Sequence, residues 1–530
     1  MSLALVRRVS AALAVSAMAL ATCTARAGPI ELRRVTVDAG RTTGVLRTLQ
    51  GVNGAPAPGM HKPPQFTFGG WNMPEEVDVS QGYREAHIDL VRTHDAYGPG
   101  DIDARFGPPR SIGEFTVPPG RSALVIFPDA SADPNDPRSY HFGPTDRLVA
   151  SIVGIGAQMI FRVGRSETSD VTPPGDFDRY AAIVEHIVLH YNRGWDHGFH
   201  YGLKYWEAWN EPDLGQLFWG GTPRQFYELY AKLARAVKRA DPTALVGGPA
   251  LAKPNDASPY RDGFLEFVRA ERLPLDFFSW HWYPTDSEDP RDFVRIGRDV
   301  RARLDRFGFR GTLNVLDEWN YGLVSPPPPD LERAAFVASS LIEMAHAPID
   351  LAALYRADNL FGRDGATPNK TGAALIALGR MTATRVELPV LAEQPGERPA
   401  GNAGPCGFAA EAGRSADGRT LQILVSQYEI PAPYRRPRPE HDVIAAPGQL
   451  AVTPLERRPL ECRTTGGYDL VVEHLSPRAR YEIERDQISA TRTLTPVERS
   501  VERGPTLRVH AVLPVPGVEL VVIRQMGAAP

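Results

Sequence analysis

The sequence is poor in cysteine and has no strong excess of charge of either sign. Three cysteines occur in 530 residues, and no Cys/His cluster has zinc-site spacing, so we expect neither a metal nor another cofactor. The net charge is −4 with both signs interspersed, which gives no indication of a nucleic-acid partner. Beyond the N-terminus there is no apolar run of about 18 residues, so no membrane span is expected.

The N-terminus is typical of a secretory signal. Two arginines precede an apolar run over residues 9–21, and residues 25–27 read Ala-Arg-Ala, the small-x-small pattern of a signal peptidase site. The run is too short for a permanent bilayer span. We therefore expect residues 1–27 to be a cleaved signal peptide and the protein to be exported. A lipid anchor on Cys23 is the alternative.

Cleavage after residue 27 would leave two cysteines, Cys406 and Cys462. Because disulfides form and persist in the oxidising compartments outside the cytosol, the two are predicted to be bonded to each other. Two separate buried thiols are the alternative.

Short apolar runs alternate with helix-like segments over residues 46–385. Strand–helix alternation repeated eight times predicts a (β/α)8 TIM barrel. An open doubly wound sheet is the alternative, but no G-x-G-x-x-G follows an early strand. The eight candidate strands are residues 49–52, 90–94, 157–161, 204–209, 244–248, 277–281, 313–316 and 351–355.

The helix signals between these strands are clearest after residue 221. Thr222 is a good N-cap, Pro223 suits the first helical position, and apolar residues then recur at helical spacing until Asp241-Pro242. Six further helices are predicted at residues 146–153, 177–190, 264–271, 293–307, 331–345 and 373–381.

Past residue 390 the pattern changes to strands separated by turns. This predicts an antiparallel β-sandwich domain over residues 390–530, which residues 28–45 join with an N-terminal strand. The clearest strand candidates are residues 421–428, 468–472, 507–512 and 518–523.

A Trp-Asn-Glu-Pro run at the end of the fourth predicted strand is the strongest catalytic signal. Barrel enzymes place their chemistry at the C-terminal ends of the strands, so Glu211 is predicted to be a general acid/base. Glu207 lies four residues earlier, inside the strand, and is interpreted as structural. The alternative for Glu211 is a solvated loop carboxylate.

A second carboxylate, Glu318, ends the seventh predicted strand. Strands four and seven face each other across a barrel, so Glu211 and Glu318 can converge over its centre. A retaining glycosidase needs such a pair about 5–5.5 Å apart, with one member as nucleophile, the role predicted for Glu318. Asp317 is the competing candidate, because period-2 alternation predicts that only one of these neighbours faces the site.

Other polar residues at strand ends are predicted to surround this pair. Asn210 is placed to bind a sugar 2-hydroxyl, and Arg92 and His94 end the second strand. His281 and Tyr283 end the sixth strand, and Tyr283 is expected to hydrogen-bond the nucleophile. For the single histidines and tyrosine, a satisfied buried side chain is the alternative.

Tryptophans near the strand ends are candidates for stacking against sugar rings. Trp319, next to the nucleophile, is included among the substrate-binding residues. Packing in the barrel core is the alternative for each member of the set, which comprises Trp206, Trp209, Trp219, Trp282 and Trp319.

The order of these motifs resembles glycoside hydrolase family 39, which includes β-xylosidases and α-L-iduronidase. The resemblance rests on Trp-Asn-Glu-Pro-Asp-Leu at residues 209–214, Phe-Trp-Gly-Gly-Thr at 218–222 and Val-Gly-Gly-Pro at 246–249. It implies a retaining mechanism with the acid/base at Glu211, the nucleophile at Glu318, and a β-sandwich beside the barrel.

The end of the eighth strand departs from this family pattern. The xylosidases carry a Tyr-Trp pair there, whereas this sequence has Tyr355-Arg356, and Arg356 is a candidate for binding a uronic acid. We expect an exported, β-xylosidase-like exo-glycosidase with an oligo- or polysaccharide substrate. The alternatives are an endo-acting hydrolase of bacterial exopolysaccharide, a uronide-specific glycosidase, and a non-catalytic carbohydrate-binding protein. No protein partner is implied, and the oligomeric state stays open.

Overall fold

The computed structural model describes residues 32–58, 77–104, 110–112, 115–117, 124–166, 170–255, 258–285, 287–322, 328–357, 359–393, 406–434, 462 and 465–527. The predicted signal peptide and Cys23 lie outside these ranges. Among the described residues, no helix has both the length and the apolar character needed to cross a bilayer.

Strands and α-helices alternate through the first two thirds of the chain, and strands dominate the last third. The strands are β1 (Leu32–Asp38), β2 (Gly44–Val45), β3 (Gly51–Asn53), β4 (Leu90–Thr93), β5 (Arg110–Ile112), β6 (Phe115–Val117), β7 (Gln158–Val163), β8 (Tyr205–Ala208), β9 (Leu245–Leu251), β10 (Phe277–Trp282), β11 (Leu313–Trp319), β12 (Leu351–Leu354), β13 (Val386–Leu388), β14 (Val390–Glu393), β15 (Ala409–Arg414), β16 (Thr420–Gln427), β17 (Gly467–Glu473), β18 (Arg480–Ser489), β19 (Arg492–Arg503), β20 (Leu507–Val512) and β21 (Gly517–Gln525). The helices are α1 (Ser80–Glu85), α2 (Gly143–Gly154), α3 (Phe177–Arg193), α4 (Pro223–Ala240), α5 (Phe264–Ala270), α6 (Arg291–Arg306), α7 (Asp330–Ala345) and α8 (Lys370–Arg380).

Eight parallel strands close into a barrel in chain order: β3, β4, β7, β8, β9, β10, β11 and β12. Each coincides with one of the apolar runs, and the predicted (β/α)8 fold is confirmed. Strand residues facing the interior recur with period 2, and those at the N-terminal end form a closed apolar plug. The plug consists of Leu90, Ile160, Tyr205, Phe277 and Val315.

The helix that the sequence indicates most clearly, α4, has the predicted start. The Thr222 hydroxyl accepts the Gln225 N–H, and the Gln225 side chain accepts the Thr222 N–H, which completes a capping box before Pro223. The six other predicted helices are present, with ends shifted by a few residues. The short helix α1 was not predicted, because six residues carry too little periodicity to be recognised.

The accessory domain is a sandwich of two sheets around a second apolar core. One sheet has seven antiparallel strands in the order β19-β18-β21-β16-β15-β13-β2, and the other has four in the order β14-β1-β17-β20. The purely antiparallel prediction needs one correction. Strand β1 pairs with β14 antiparallel but with β17 parallel, a pairing that is possible because no short hairpin turn joins β1 to β17.

Cys406 and Cys462 are joined by a disulfide, as the sequence predicts. Their Cα atoms lie 5.6 Å apart, within the range that a disulfide spans without backbone movement. The bond links the segment that precedes β15 to the segment that precedes β17.

Candidate active site

The barrel interior changes from apolar to charged along its strands. One inward position above the apolar plug, the strands carry Arg92 on β4, Glu207 on β8, Ser279 on β10 and Asp317 on β11, each of them buried. Burying so many polar groups is costly unless they are paired with one another. The C-terminal end of the barrel is therefore built around ion pairs and hydrogen bonds.

Glu211 lies just beyond the end of β8, where the backbone turns sharply. Trp209 and Glu211 both have positive φ, 71° and 41°, a conformation that is uncommon for residues other than glycine. The turn is held by the Glu211 N–H, which donates to the Ala250 carbonyl at 2.9 Å. Backbone strain of this kind is concentrated at functional sites. The turn places the Glu211 carboxylate 2.8 Å from Nδ1 of His281.

Asp317 and Glu318 both point into the barrel, which contradicts the expectation that only one of them does. On the adjacent strand Trp280 pairs with Leu316, but the next residue, His281, pairs with Glu318. The register thus skips Asp317, as in a β-bulge, and two consecutive side chains reach the same side. Regular alternation would have placed Asp317 inside and Glu318 outside.

Glu318 is held by two donors. The Tyr283 hydroxyl donates to Oε1 at 2.8 Å, the contact expected from the sequence, and Arg92 Nη1 donates to Oε2 at 3.0 Å. Burial raises the pKa of Glu318, and the nearby Glu211 raises it further, whereas His281 and Arg92 lower it. The pKa of Glu318 lies above its ordinary value as the balance of these effects.

Arg92 lies beneath the carboxylates and is fully buried. Its Nε is 2.7 Å from Glu207 and 3.1 Å from Asp317, and Nη2 donates to Asn210 Oδ1 at 2.6 Å. The prediction that Arg92 binds ring hydroxyls is therefore wrong, since its donors are directed at protein groups. Arg92 instead holds in place the carboxyl groups of Glu207, Asp317 and Glu318, which together form the carboxylate cluster. Glu207 is a structural residue of the strand, as the sequence suggested.

Glu207 and Asp317 share the Nε edge of that guanidinium and interact with each other. Burial raises the pKa of Glu207, Arg92 lowers it, and the negative charge of Asp317 raises it again, so that the pKa lies above its ordinary value. Against the effect of burial, Arg92, Glu207 and His281 together lower the pKa of Asp317. The proton of this pair therefore resides on Glu207, and Asp317 is ionised.

The imidazole of His281 lies among three carboxylates. Its Nδ1 is 2.8 Å from Glu211 and 3.7 Å from Glu318, and its Nε2 is 3.4 Å from Asp317. Burial alone would lower the pKa of His281, but Glu318, Asp317 and Glu211 raise it well above the ordinary value. His281 is therefore an imidazolium at neutral pH.

The two glutamates come close together at this imidazole. One oxygen of Glu211, one oxygen of Glu318 and one nitrogen of His281 all lie within 4.8 Å of one another. Two carboxylates and an imidazole can also bind a divalent cation. The three groups are already engaged, however, since His281 pairs with Glu211 and the two Glu318 oxygens accept from Tyr283 and Arg92, so the cluster needs no cation to balance its charge.

Asn210 and His94 face the same region. Asn210 accepts from Arg92 through Oδ1, and within the described part of the chain its buried Nδ2 has no hydrogen-bond partner. His94 Nε2 lies 3.2 Å from Asp95, and burial lowers the pKa of His94 well below the ordinary value, so its ring is neutral. Both side chains have the character of groups that bind hydroxyls.

Arg356 and Trp319 have places that the sequence did not predict. Arg356 Nη1 donates to the carbonyl oxygens of His94 and Asp95 at 3.2 and 2.9 Å, so the guanidinium braces the end of β4. Trp319 is fully buried and packs against Phe293 of α6, because the residue after an inward Glu318 points outward. Trp319 is therefore not a sugar-binding surface.

The other tryptophans divide in the same way. Trp206, Trp209 and Trp219 are buried in the barrel core, whereas Trp282 is half-buried. The stacking hypothesis thus survives for Trp282 alone of the five.

Asp95 and Tyr355 were missed as site residues. The Tyr355 hydroxyl donates to Asp95 Oδ2 at 2.5 Å, and the charge of Asp95 acts on Glu318. Both residues lie within two positions of the end of a barrel strand, Asp95 after β4 and Tyr355 after β12, which is the signal that singled out the others. A pairing between residues so far apart in sequence is visible only in the closed barrel.

Comparison with known proteins supports the resemblance seen in the motifs. The model of glycosyl hydrolases family 39 matches residues 153–295. A β-xylosidase of Geobacillus stearothermophilus is 26% identical over 253 residues, which are 41% of this chain and 49% of that protein. The chain thus spans about half the length of this curated relative.

Solved structures extend the similarity over nearly the whole chain. A glucosidase from Croceicoccus marinus is 33% identical, with a TM-score of 0.75, covering 94% of this chain and 100% of that one. A GH39 enzyme from Xanthomonas axonopodis pv. citri has a TM-score of 0.63 at 14% identity, which shows the shared fold alone. The glucosidase is 33% identical to this chain over its whole length, and the family model matches part of the barrel. Together with the paired glutamates at the ends of barrel strands, these matches show that the chain belongs to glycoside hydrolase family 39.

Proposed function

We propose that the protein is a retaining O-glycoside hydrolase with Glu211 as general acid/base and Glu318 as nucleophile. The observation that carries the proposal is the approach of one Glu211 oxygen to within 4.8 Å of a Glu318 oxygen. Retaining glycosidases hold their carboxyl groups about 5–5.5 Å apart, whereas inverting enzymes need about 6.5–9.5 Å to admit a water molecule.

The chemistry follows two balanced steps. Glu211 gives its proton to the glycosidic oxygen while an oxygen of Glu318 bonds to the anomeric carbon and the leaving group departs. Glu211 then takes a proton from water, whose oxygen displaces Glu318 and releases the sugar. Tyr283 and Arg92 keep Glu318 ionised and oriented for the attack, and Asn210 Nδ2 is placed to donate to the 2-hydroxyl.

For the substrate, we propose a neutral sugar released from a chain end, as in a β-xylosidase-like exo-glycosidase. The relatives are a glucosidase and β-xylosidases, so xylosides and glucosides are the first candidates. The arginine that suggested a uronic acid, Arg356, donates to backbone carbonyls. Because these carbonyls already accept from Nη1 of Arg356, the contacts support a neutral sugar over a uronide as the substrate.

Turnover of 4-nitrophenyl β-D-xyloside and β-D-glucoside tests the function. NMR of the first product should show the β anomer, and Glu318→Ala should abolish turnover, with azide restoring it to give an α-glycosyl azide. Glu228→Ala removes an exposed glutamate of α4 and is the matched control that should keep wild-type rates. An α anomer as first product, or normal rates in Glu318→Ala, would refute the proposal.

Export through residues 1–27 is part of the same proposal. A substrate that is an oligo- or polysaccharide is consistent with it. The protein recovered from the periplasm or medium should have the mass of a chain that begins at residue 28. A diacylglycerol-modified Cys23 would favour the lipid-anchored alternative.

A further inference from the structure

The register skip in β11 leaves a buried carboxylate, Asp317, that the two catalytic steps do not use. Regular alternation would make Asp317 the inward residue of β11, and the skip adds Glu318 to the same side. Asp317 is fully buried, and Arg92 and His281 approach its two oxygens at 3.1 and 3.4 Å. Asp317 thus forms one ion pair with Arg92 and another with His281.

We propose that Asp317 is a positioning residue that keeps His281 doubly protonated, so that the imidazolium stays hydrogen-bonded to Glu211 and adjacent to Glu318. The inference rests on the roles proposed for those two glutamates. Asp317 itself touches neither the sugar nor the reacting atoms. It acts through the ring nitrogen on the far side of His281.

The geometry gives His281 two distinct edges. Nε2 faces Asp317 at 3.4 Å, and Nδ1 faces Glu211 at 2.8 Å and Glu318 at 3.7 Å. Carboxylates that face both edges of the ring favour the imidazolium, because its positive charge is attracted from each side. A buried carboxylate behind a histidine fixes its protonation and orientation, as partners of catalytic and metal-bound histidines do.

This arrangement has a consequence for the proton on Glu211. Because Nδ1–H donates to Oε1, that oxygen is an acceptor, and the acidic proton of Glu211 is left on the other oxygen, Oε2. The imidazolium thus directs the proton away from itself. Its charge also stabilises the ionised form of Glu318.

The titratable groups around His281 come from three other strands of the barrel or from the residues that follow them. Glu211 and Asp213 follow β8, Asp317 and Glu318 belong to β11, and the neutral His94 follows β4. Behind Asp317 lie Arg92 on β4 and the protonated Glu207 on β8. In this set Asp317 is the ionised carboxylate that faces Nε2.

The test is the pH dependence of kcat/KM for an aryl glycoside in Asp317→Asn. If Asp317 acted on Glu318 only through its own negative charge, removing it would lower the pKa of Glu318 and move the acidic limb to lower pH. If it acts through His281, the imidazolium is lost, the pKa of Glu318 rises, and the acidic limb moves to higher pH. We expect the second result, with a shift of about one pH unit or more.

Glu207→Gln is the matched control. Glu207 is also a fully buried carboxyl group that contacts Arg92 Nε, but it carries a proton and does not contact His281. The glutamine amide is neutral, as is the protonated carboxyl group that it replaces. The acidic limb of the kcat/KM profile should therefore stay at the same pH. In a His281→Gln background, Asp317→Asn should add no further upward shift.

Three outcomes separate the inference from the function on which it rests. An acidic limb that is unmoved or moves to lower pH in a folded Asp317→Asn enzyme overturns the inference, while turnover by the wild type leaves the function standing. If Asp317→Asn does not fold, Asp317→Ser replaces it and is judged by the same limb. An inactive wild-type enzyme overturns the proposed function instead.

Discussion

Replacing Arg92 by methionine should destabilise the barrel strongly, and the loss of stability should grow as the pH rises. Methionine keeps much of the volume but removes the charge that contacts three carboxyl groups, on Glu207, Asp317 and Glu318. Removing one partner of a buried ion pair costs about 3–5 kcal/mol, because the other charge stays buried and uncompensated. Here Asp317 loses its main counter-charge and Glu318 loses one of its two, the other being His281, so we expect a loss toward the upper end of that range.

The sign of the pH dependence follows from linkage. Without Arg92, the folded-state pKa of Asp317 rises above its unfolded-state value, and the pKa of Glu318, which is already raised, rises further. A carboxylate whose folded pKa is raised disfavours the folded state at pH values above the unfolded pKa, and the penalty grows until the folded pKa is reached. Arg92→Met should therefore be least destabilised near pH 4–5 and most destabilised near pH 8. For each proton involved, the free energy changes by about 1.4 kcal/mol per pH unit between the two pKa values.

Thermal melts of wild type and variant from pH 5 to 8 measure this difference. Arg224→Met is the control, because Arg224 pairs with Glu228 on the exposed face of α4, where an ion pair contributes about 1 kcal/mol or less. A melting-temperature loss for Arg92→Met that equals the control, or that stays constant from pH 5 to 8, would refute the assignment of Arg92 as the counter-charge of the cluster.

Three further predictions concern single groups. Glu211→Ala should slow an alkyl or sugar leaving group at least a hundredfold but spare 2,4-dinitrophenyl glycosides; equal losses on both would exclude an acid/base role. Tyr283→Phe removes a hydrogen bond to a charged group, worth about 1.5–3 kcal/mol, so the acidic limb of kcat/KM should move to higher pH, and an unmoved limb would contradict this. Reducing Cys406–Cys462 should lower the melting temperature by opening a link across 56 positions, worth up to roughly 4 kcal/mol, with the initial rate at low temperature unchanged; a parallel loss of activity would tie the bond to the site.

Much of the architecture could be predicted from local patterns. The eight barrel strands are continuous apolar runs because helices cover the outside of the barrel, and such runs are visible without any alignment. Glu211 stands out because its turn follows a strand whose C-terminal end meets the active face of a barrel. The sandwich strands β18 and β19 were not recognised, since β19 is largely exposed and β18 buries a charged network, so neither shows clean alternation.

The finer features of the site were decided by the tertiary structure. Sequence alternation predicted that either Asp317 or Glu318 enters the barrel, but pairing with β10 skips one residue and admits both. Arg92 was expected to bind sugar hydroxyls, yet the closed barrel directs its donors at carboxylates from β8 and β11. The sequence alone determined which residue types end each strand, because those patterns are local. Which of them meet, and which proton each holds, depends on distances between strands that only the folded barrel sets.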